Sequence, residues 1–224
     1  GLANNFLKRF QELGGEAELV AYAPDQPDYS SEVAVLSQKV SSMGADAVLL
    51  IAFETDGYNI LSHASEDPVL SSIRWLSSEG IYGSPGLLTG DLATFVTKVG
   101  LKGARPLPLE KTPLTVKFEA EYFNRTGTKA PSYTHYVYDS VYLAALSILF
   151  AGKYDGEAVK NALPVIASKY FGVTGHTLLN DAGDKMYQDY FIWNIQKTDG
   201  EYSYTDIGIW RAASDTIEWY ESGA

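Results

Sequence analysis

The chain has 224 residues, 46% of them hydrophobic and 20% charged, a balance typical of a folded globular protein and not of a disordered one. Its formal net charge of -11, without a lysine–arginine cluster, argues against a nucleic-acid partner and against binding to an anionic membrane surface. Cysteine is absent, which excludes disulfides, thiol catalysis and cysteine-ligated metals. No apolar run approaches the ~20 residues that a membrane-spanning helix needs.

The chain opens with a predicted helix followed by a predicted strand. The apolar residues of the helix recur at helical spacing, and a pair of glycines ends it. These apolar residues are Phe6, Leu7, Phe10 and Leu13. Residues 16–22 then indicate a strand.

Helical and strand-like patterns continue to alternate. Asp28 is suited to cap a second helix, which ends at Met43 and Gly44. Residues 47–52 form a continuous apolar run, typical of a central parallel strand that is covered on both faces. Another helix ends at Asp67, before a proline, and a strand follows over residues 73–77.

A helix over residues 89–99 and an extended segment over 101–107 complete an α-β-α-β-α-β-α-β order. This order predicts an α/β fold with a three-layer, doubly wound parallel sheet. The proline-rich stretch from Ala104 to Pro113 predicts a crossover between two lobes, and Thr112 with Pro113 predicts the start of a helix.

The second half of the chain is first helical and then strand-like. Asp155 is suited to cap a helix, residues 187–196 and 202–210 are aromatic and β-branched, and residues 198–200 form a hairpin turn signal. An earlier predicted helix carries an apolar stripe. The stripe consists of Tyr138, Val141, Tyr142, Ala145, Ile148 and Leu149.

A ligand site is expected where the predicted strands end, because open parallel sheets bind ligands beyond the carboxyl ends of their strands. The loops at these ends offer aromatic surface, hydroxyls and carboxylates, which suits a small polar ligand with a cationic group. Ordinary hydrated loops remain the alternative for each residue, since most loop carboxylates are only hydrated. The candidate ligand-binding residues are Tyr22, Phe53, Glu54, Ser77, Ser78 and Glu79.

Sequence motifs for catalysis are missing. The chain has no G-x-S-x-G elbow, no G-x-G-x-x-G and no phosphate-binding P-loop. Its histidines, at 63, 135 and 176, share no metal-ligand spacing. Residues 180–184 faintly resemble a calcium loop but lack the distal glutamate, so a turn is predicted there. The sequence therefore predicts a protein that is not an enzyme and that uses neither a cofactor nor a metal.

Several stretches, taken in chain order, resemble those of one known family. They are residues 28–33 with 44–49, 136–145, 171–175, and 180–184 with 190–193. On these motifs the chain resembles the type I periplasmic solute-binding proteins, and within them the leucine/isoleucine/valine-binding group of ABC transporter receptors.

The resemblance implies a bilobed clamshell with the ligand at its hinge cleft, and a chain that begins inside lobe two without the N-terminal half of lobe one. Residues 1–106 would form lobe two, 107–186 the second half of lobe one, and 187–224 the C-terminal strands that return to lobe two. The family pattern also implies that Glu79 holds the ammonium group of the ligand. It implies that Phe53 lines the cleft, where the family often has a tyrosine.

The resemblance further implies an extracytoplasmic, periplasmic protein that captures an amino-acid-like solute for the membrane permease of an ABC transporter. An intracellular amide or amino-acid sensor with the same fold remains an alternative, and a small α/β enzyme is disfavoured by the missing motifs. Apolar helix faces such as those of Tyr138, Val141 and Tyr142 would lack a covering sheet. We therefore expect self-association of this chain, or pairing with the missing half.

Overall fold

The structure is a computed structural model that describes residues 1–106 and 111–220. The chain divides into two compact units. The first contains Gly1–Arg105 and Ile192–Gly208, with the C-terminal residues from Tyr220, and the second contains Pro106–Phe191 and Ile209–Trp219. The lobe boundaries given above stay a prediction, and the predicted crossover over 104–113 falls partly outside the described residues.

Seven helices and eight strands lie within the described residues. The α-helices are α1 (Leu2–Glu12), α2 (Ser30–Met43), α3 (Glu54–Glu66), α4 (Gly90–Lys98), α5 (Pro113–Thr126), α6 (Ser132–Ala151) and α7 (Gly156–Ala167). The strands are β1 (Ala47–Leu50), β2 (Arg74–Ser77), β3 (Lys102–Pro106), β4 (Phe171–Gly172), β5 (Gly175–His176), β6 (Tyr190–Thr198), β7 (Glu201–Arg211) and β8 (Thr216–Trp219). Short 3₁₀ turns cover Leu70–Ser72, Glu79–Ile81 and Pro85–Leu88.

Six strands form one sheet in the order β1-β2-β3-β6-β7-β8, while β4 and β5 form a small antiparallel pair. Strands β1 and β2 run parallel with Val48 opposite Trp75, and β2 and β3 run parallel with Ser77 opposite Gly103. Helices connect these parallel strands, as parallel pairing requires. The α/β fold with a parallel-dominated sheet is therefore confirmed.

The predicted strand over residues 16–22 is wrong, because this segment belongs to no strand of the described chain. A strand exists only where backbone groups find a ladder partner, and side chains make the contacts of this segment instead. Glu18 forms an ion pair with Lys39, and the Tyr22 hydroxyl donates to the Ile51 carbonyl at 3.1 Å. The element order therefore begins α1-α2-β1.

The core of the first unit follows from alternation on β1 and β2. Val48 and Leu50 of β1 are buried, as are Trp75 and Ser77 of β2. The indole of Trp75 meets the ring of Phe95 edge-on at 6.3 Å, and its Nε1 donates to a backbone carbonyl. Each such buried large apolar side chain contributes about 1.5 to 3 kcal/mol, so this packing stabilises both strands.

Local signals set several element boundaries where they were predicted. Thr112 Oγ1 accepts from the Thr115 amide at 3.2 Å and caps α5, and Asp155 Oδ1 accepts from the Ala158 amide at 2.9 Å and caps α7. The β6–β7 hairpin turns where predicted, at Asp199 and Gly200, with φ of 54° and 90°. Strands β4, β5 and β8 were not predicted.

A buried carboxylate organises the second unit. Asp139 of α6 is 3% exposed, and it accepts hydrogen bonds from the Val173 amide at 2.8 Å and from the Thr174 amide and hydroxyl at 2.8 and 2.6 Å. A Cβ at Gly172 would lie 2.0 Å from Oδ1 of Asp139, so only glycine allows this approach. Asp139 thus joins α6 to the β4–β5 turn.

Helix α6 also presents a wide apolar surface. Val141 is 62% exposed and Leu149 is 75% exposed, and Phe150 and Tyr142 are also exposed. Apart from its tyrosines, the ionisable side chains of this helix are His135 and Asp139, and both are buried. Among the described residues, no helix is both long enough and apolar enough to cross a membrane.

Replacing Asp139 by Asn should destabilise the chain by about 3 kcal/mol, because one carboxylate oxygen becomes an NH₂ group facing a backbone donor. Urea unfolding followed by circular dichroism measures the change. Asp199→Asn is the matched control, since asparagine tolerates the positive φ of that turn and should leave stability unchanged. Equal stability of the Asp139→Asn variant and the wild type would show that Asp139 does not organise the unit.

Candidate functional site

Two loops that follow neighbouring parallel strands meet in the first unit. One follows β1 and leads into α3, and the other follows β2 and leads into the turn Glu79–Ile81. A Cβ at Gly80 would lie 2.2 Å from the Ala52 carbonyl oxygen, and a Cβ at Gly57 would lie 2.4 Å from Cγ2 of Ile81. Both glycines are required for this approach, which brings the two sets of predicted residues to one edge of the sheet.

The loop after β1 carries an aromatic side chain and a carboxylate. Phe53 precedes the first residue of α3 in extended conformation and is 79% exposed, which is unusual for so large an apolar side chain. Glu54 begins the helix and is also exposed. A negative charge in the first turn of a helix interacts favourably with the helix N-terminus, so this position suits a glutamate.

The loop after β2 carries the other predicted carboxylate. Glu79 is half-buried at the start of its 3₁₀ turn, and the preceding Ser78 is also half-buried. The Ser78 amide donates to the Leu50 carbonyl at 3.3 Å, which joins this loop to the end of β1. A Cβ at Gly80 would lie 3.4 Å from Cδ1 of Phe53, so Phe53 and the Glu79 loop are neighbours.

Two predicted residues use their hydroxyls within the protein. Ser77 is buried and its Oγ donates to the Leu50 carbonyl at 3.1 Å, and the half-buried Tyr22 donates to the Ile51 carbonyl at 3.1 Å. Burial raises the pKa of the Tyr22 hydroxyl, and the nearby Asp56 carboxylate raises it further. Both residues therefore shape the site by fixing the end of β1.

Asp56 stabilises the chain next to this edge of the sheet. Its carboxylate is buried in the first turn of α3, where Oδ1 accepts from the Tyr29 hydroxyl at 2.6 Å and from the Asp25 amide at 3.2 Å. The pairing holds the chain before α2 against α3. Asp56 is therefore a structural carboxylate, which distinguishes it from the exposed Glu54.

Sequence reasoning missed five residues that lie beside the Glu79 loop. Aromatic rings from three places in the chain contact one another there, and an ion pair lies against one of them. These residues are Tyr82, Arg105, Trp193, Tyr204 and Asp206. The sole sequence signal for these residues was the strand pattern of β7. Their contacts join residues about a hundred positions apart, so a local pattern does not show them.

The charges at this edge are mostly negative. The guanidinium of Arg105 is bound by the Asp206 carboxylate, with Nη2 and Oδ2 2.6 Å apart. Glu54 and Glu79 add two further carboxylates beside an aromatic surface. Among residues 1–106 and 111–220, no group of three His, Asp or Glu side chains could hold a metal ion. The arrangement is suited to an organic ligand with a positive group.

Solved structures of solute-binding proteins have a similar fold. A leucine-binding protein LivK from Thermotoga maritima is 20% identical with a TM-score of 0.65, covering 92% of this chain and 55% of its own. A substrate-binding protein from Desulfitobacterium hafniense in complex with Leu is 18% identical with a TM-score of 0.55, covering 92% and 56%. No curated protein matches the chain.

A solute-binding protein of an ABC transporter from Rhodopseudomonas palustris, in complex with 3,4-dihydroxybenzoic acid, is 21% identical with a TM-score of 0.61 and covers 95% of this chain and 57% of its own. The present chain thus spans somewhat more than half the length of these proteins. The fold is that of a type I periplasmic binding protein. A known family, described as the receptor family ligand binding region, matches residues 1–198. The chain belongs to this receptor ligand-binding family.

Proposed function

We propose that this chain is part of the substrate-binding component of an ABC transporter, and that it captures a small amino-acid-like solute without performing chemistry. The observation that carries this proposal is the sheet edge beyond two parallel strands, at which the loop carrying Phe53 and Glu54 meets the loop carrying Glu79. Membership of a ligand-binding family and the fold shared with transporter-associated binding proteins support it.

The chemistry of the edge favours a ligand with an ammonium group. Glu54 and Glu79 supply negative charge, and the exposed ring of Phe53 supplies an apolar surface. A charge-assisted hydrogen bond to an ammonium contributes about 1.5 to 3 kcal/mol. The 3,4-dihydroxybenzoic acid bound by one similar protein has no ammonium group, so it would leave the carboxylates of Glu54 and Glu79 without a cation to bind. An amino acid therefore fits this edge better than a simple aromatic acid.

The proposed role specifies a cellular location and a protein partner. A receptor of this class works outside the cytoplasm, in the periplasm or its equivalent, and delivers its ligand to the membrane permease of the transporter. In this arrangement residues 1–106 and 187–224 belong to lobe two and 107–186 to lobe one. The alternative role, an intracellular amide or amino-acid sensor, differs in location. A signal peptide in the upstream coding sequence supports the receptor, and its absence from the complete gene favours the sensor.

The apolar surface of α6 supports a further proposal about association. Large exposed apolar patches on a folded protein drive contact with a second surface. We therefore propose that the 224-residue chain self-associates through the α6 face that carries Val141 and Leu149.

Sedimentation velocity across a wide concentration range should show dimers or larger species of the 224-residue chain. Val141→Lys should shift the distribution toward monomer, because a charge on the apolar face opposes its burial. Val35→Lys is the matched control, since this exposed valine lies on α2. A monodisperse wild-type monomer at every concentration would contradict self-association.

Glu79→Gln should weaken binding of L-leucine to the protein that contains this chain by about tenfold or more, since 1.4 kcal/mol corresponds to one decade. Isothermal titration calorimetry measures the affinity. Glu66→Gln is the matched control, because this exposed carboxylate ends α3 about 18 Å from its first residue. Unchanged affinity with unchanged stability would make Glu79 an ordinary hydrated carboxylate, and loss of folding would make it structural.

A further inference from the structure

The chain leaves the first unit after Arg105, returns at Ile192 and leaves again after Gly208, and one cluster of side chains contains residues next to each of these positions. Arg105 is itself a terminal residue, Trp193 is the second residue after the return, and Asp206 precedes the last exit by two residues. The cluster therefore gathers the strand ends within the unit.

An ion pair joins two of these strands. Arg105 of β3 donates through Nε to Oδ1 of Asp206 at 3.2 Å and through Nη2 to Oδ2 at 2.6 Å. Strand β6 lies between β3 and β7 in the sheet, so this two-point contact reaches across a strand. The Arg105 side chain is 8% exposed and that of Asp206 is 29% exposed, which shields the pair from solvent screening.

The loop that carries Glu79 packs on this ion pair through Tyr82. The guanidinium carbon of Arg105 lies 4.6 Å from the centre of the Tyr82 ring, a cation–π distance. The same ring contacts Trp193 at 5.6 Å and Tyr204 at 4.9 Å between centroids. Tyr82 follows Glu79 by three residues, so the candidate ligand loop and the strand ends share one packed cluster.

Tyr204 of β7 ties the same loop by hydrogen bonds. Its hydroxyl lies 3.2 Å from the Ile81 carbonyl oxygen and 3.0 Å from that of Ser84, which flank Tyr82, and it donates to this pair. Burial raises the pKa of the Tyr204 hydroxyl, and the nearby Glu54 and then Tyr82 raise it further, so it remains a donor at neutral pH. The loop is thus fixed from β7 on both sides of Tyr82.

We propose that Tyr82, Tyr204 and the Arg105–Asp206 ion pair are positioning residues, which hold the loop carrying Glu79 to the strand ends at which the chain leaves the first unit. The geometry of the loop and the geometry of the strand ends are therefore coupled. A ligand that orders the loop also orders the strand ends, and a change at the strand ends alters the loop. The ligand's part in this coupling rests on the proposed function, whereas the coupling itself does not.

Amide hydrogen exchange of the 224-residue chain tests the hydrogen-bonding step without any ligand. Tyr204→Phe keeps the ring contacts and removes the donor, and should speed exchange over residues 79–84 by about tenfold, the loss of one typical hydrogen bond. Tyr202→Phe is the matched control on the same strand, since its hydroxyl pairs with Thr94 at 3.0 Å. The control should leave residues 79–84 unchanged.

Asp206→Asn tests the coupling itself. The substitution removes the negative charge that β7 contributes to the ion pair with Arg105. It should also speed exchange over residues 79–84, although Asp206 is distant from them in sequence. In the double variant with Tyr204→Phe, residues 79–84 should exchange more slowly than the product of the two single accelerations predicts. The reason is that both substitutions act on one cluster. Glu218→Gln is the control, since it breaks the exposed pair with Arg211, whose Nη2 is 2.7 Å from Oε2 of Glu218.

Wild-type exchange over residues 79–84 in both single variants would overturn the proposal. Equal acceleration over every amide of the first unit would also overturn it, because the cluster would then be merely structural. If Asp206→Asn does not fold, Arg105→Lys keeps the charge but loses the two-point contact, and the same peptides are measured in it. Failure of Glu79→Gln to weaken leucine binding would refute the proposed function and leave these exchange results standing.

Discussion

The candidate site depends on how closely the loop after β2 approaches the loop after β1. The approach is possible because Gly80 has no Cβ, which would lie 2.2 Å from the Ala52 carbonyl oxygen. The same is true of Gly57 against Ile81. Parallel pairing of β1 and β2 puts both strand ends at one edge, and these two glycines let the following loops close over it. Without that contact, the two loops that carry Phe53 and Glu79 would not be neighbours.

Buried carboxylates hold the surrounding loops in both units. Asp56 binds the Tyr29 hydroxyl in the first unit, and Asp139 binds the Thr174 amide and hydroxyl in the second. A buried charge is tolerated only when hydrogen bonds replace its lost hydration, so each carboxylate fixes its partners firmly. Among the described contacts of the exposed Glu54 carboxylate, none holds a loop in this way. This difference separates the buried carboxylates that hold loops in place from the exposed carboxylate of Glu54.

Features set by neighbouring residues could be predicted from the sequence. The caps Thr112 and Asp155 and the turn at Asp199 depend on hydrogen bonds and backbone conformations within a few residues. The strand predicted over residues 16–22 was wrong, because a local sequence pattern can indicate an extended chain but does not supply a ladder partner. The sequence also did not show that the Ser77 hydroxyl donates a hydrogen bond to the Leu50 carbonyl.

The contacts around Tyr82 could not be predicted, because they depend on which strands become neighbours. Arg105 and Asp206 are 101 residues apart, and their pairing requires β6 and β7 to follow β3 in the sheet. Nothing in a local pattern specifies that order. Placing Glu79 beyond β2 needed only the parallel-strand rule and the family resemblance, whereas its packing environment came from tertiary structure.

The most direct measurement of the central claim is an amide NMR spectrum of the protein titrated with L-leucine. The account predicts that the largest shift changes fall on residues 51–54 and 77–80, the two loops that meet at Gly80. It also predicts that amides of the outer helix α2 change little. Shift changes confined to other regions, or saturating binding with no change in these two loops, would contradict it.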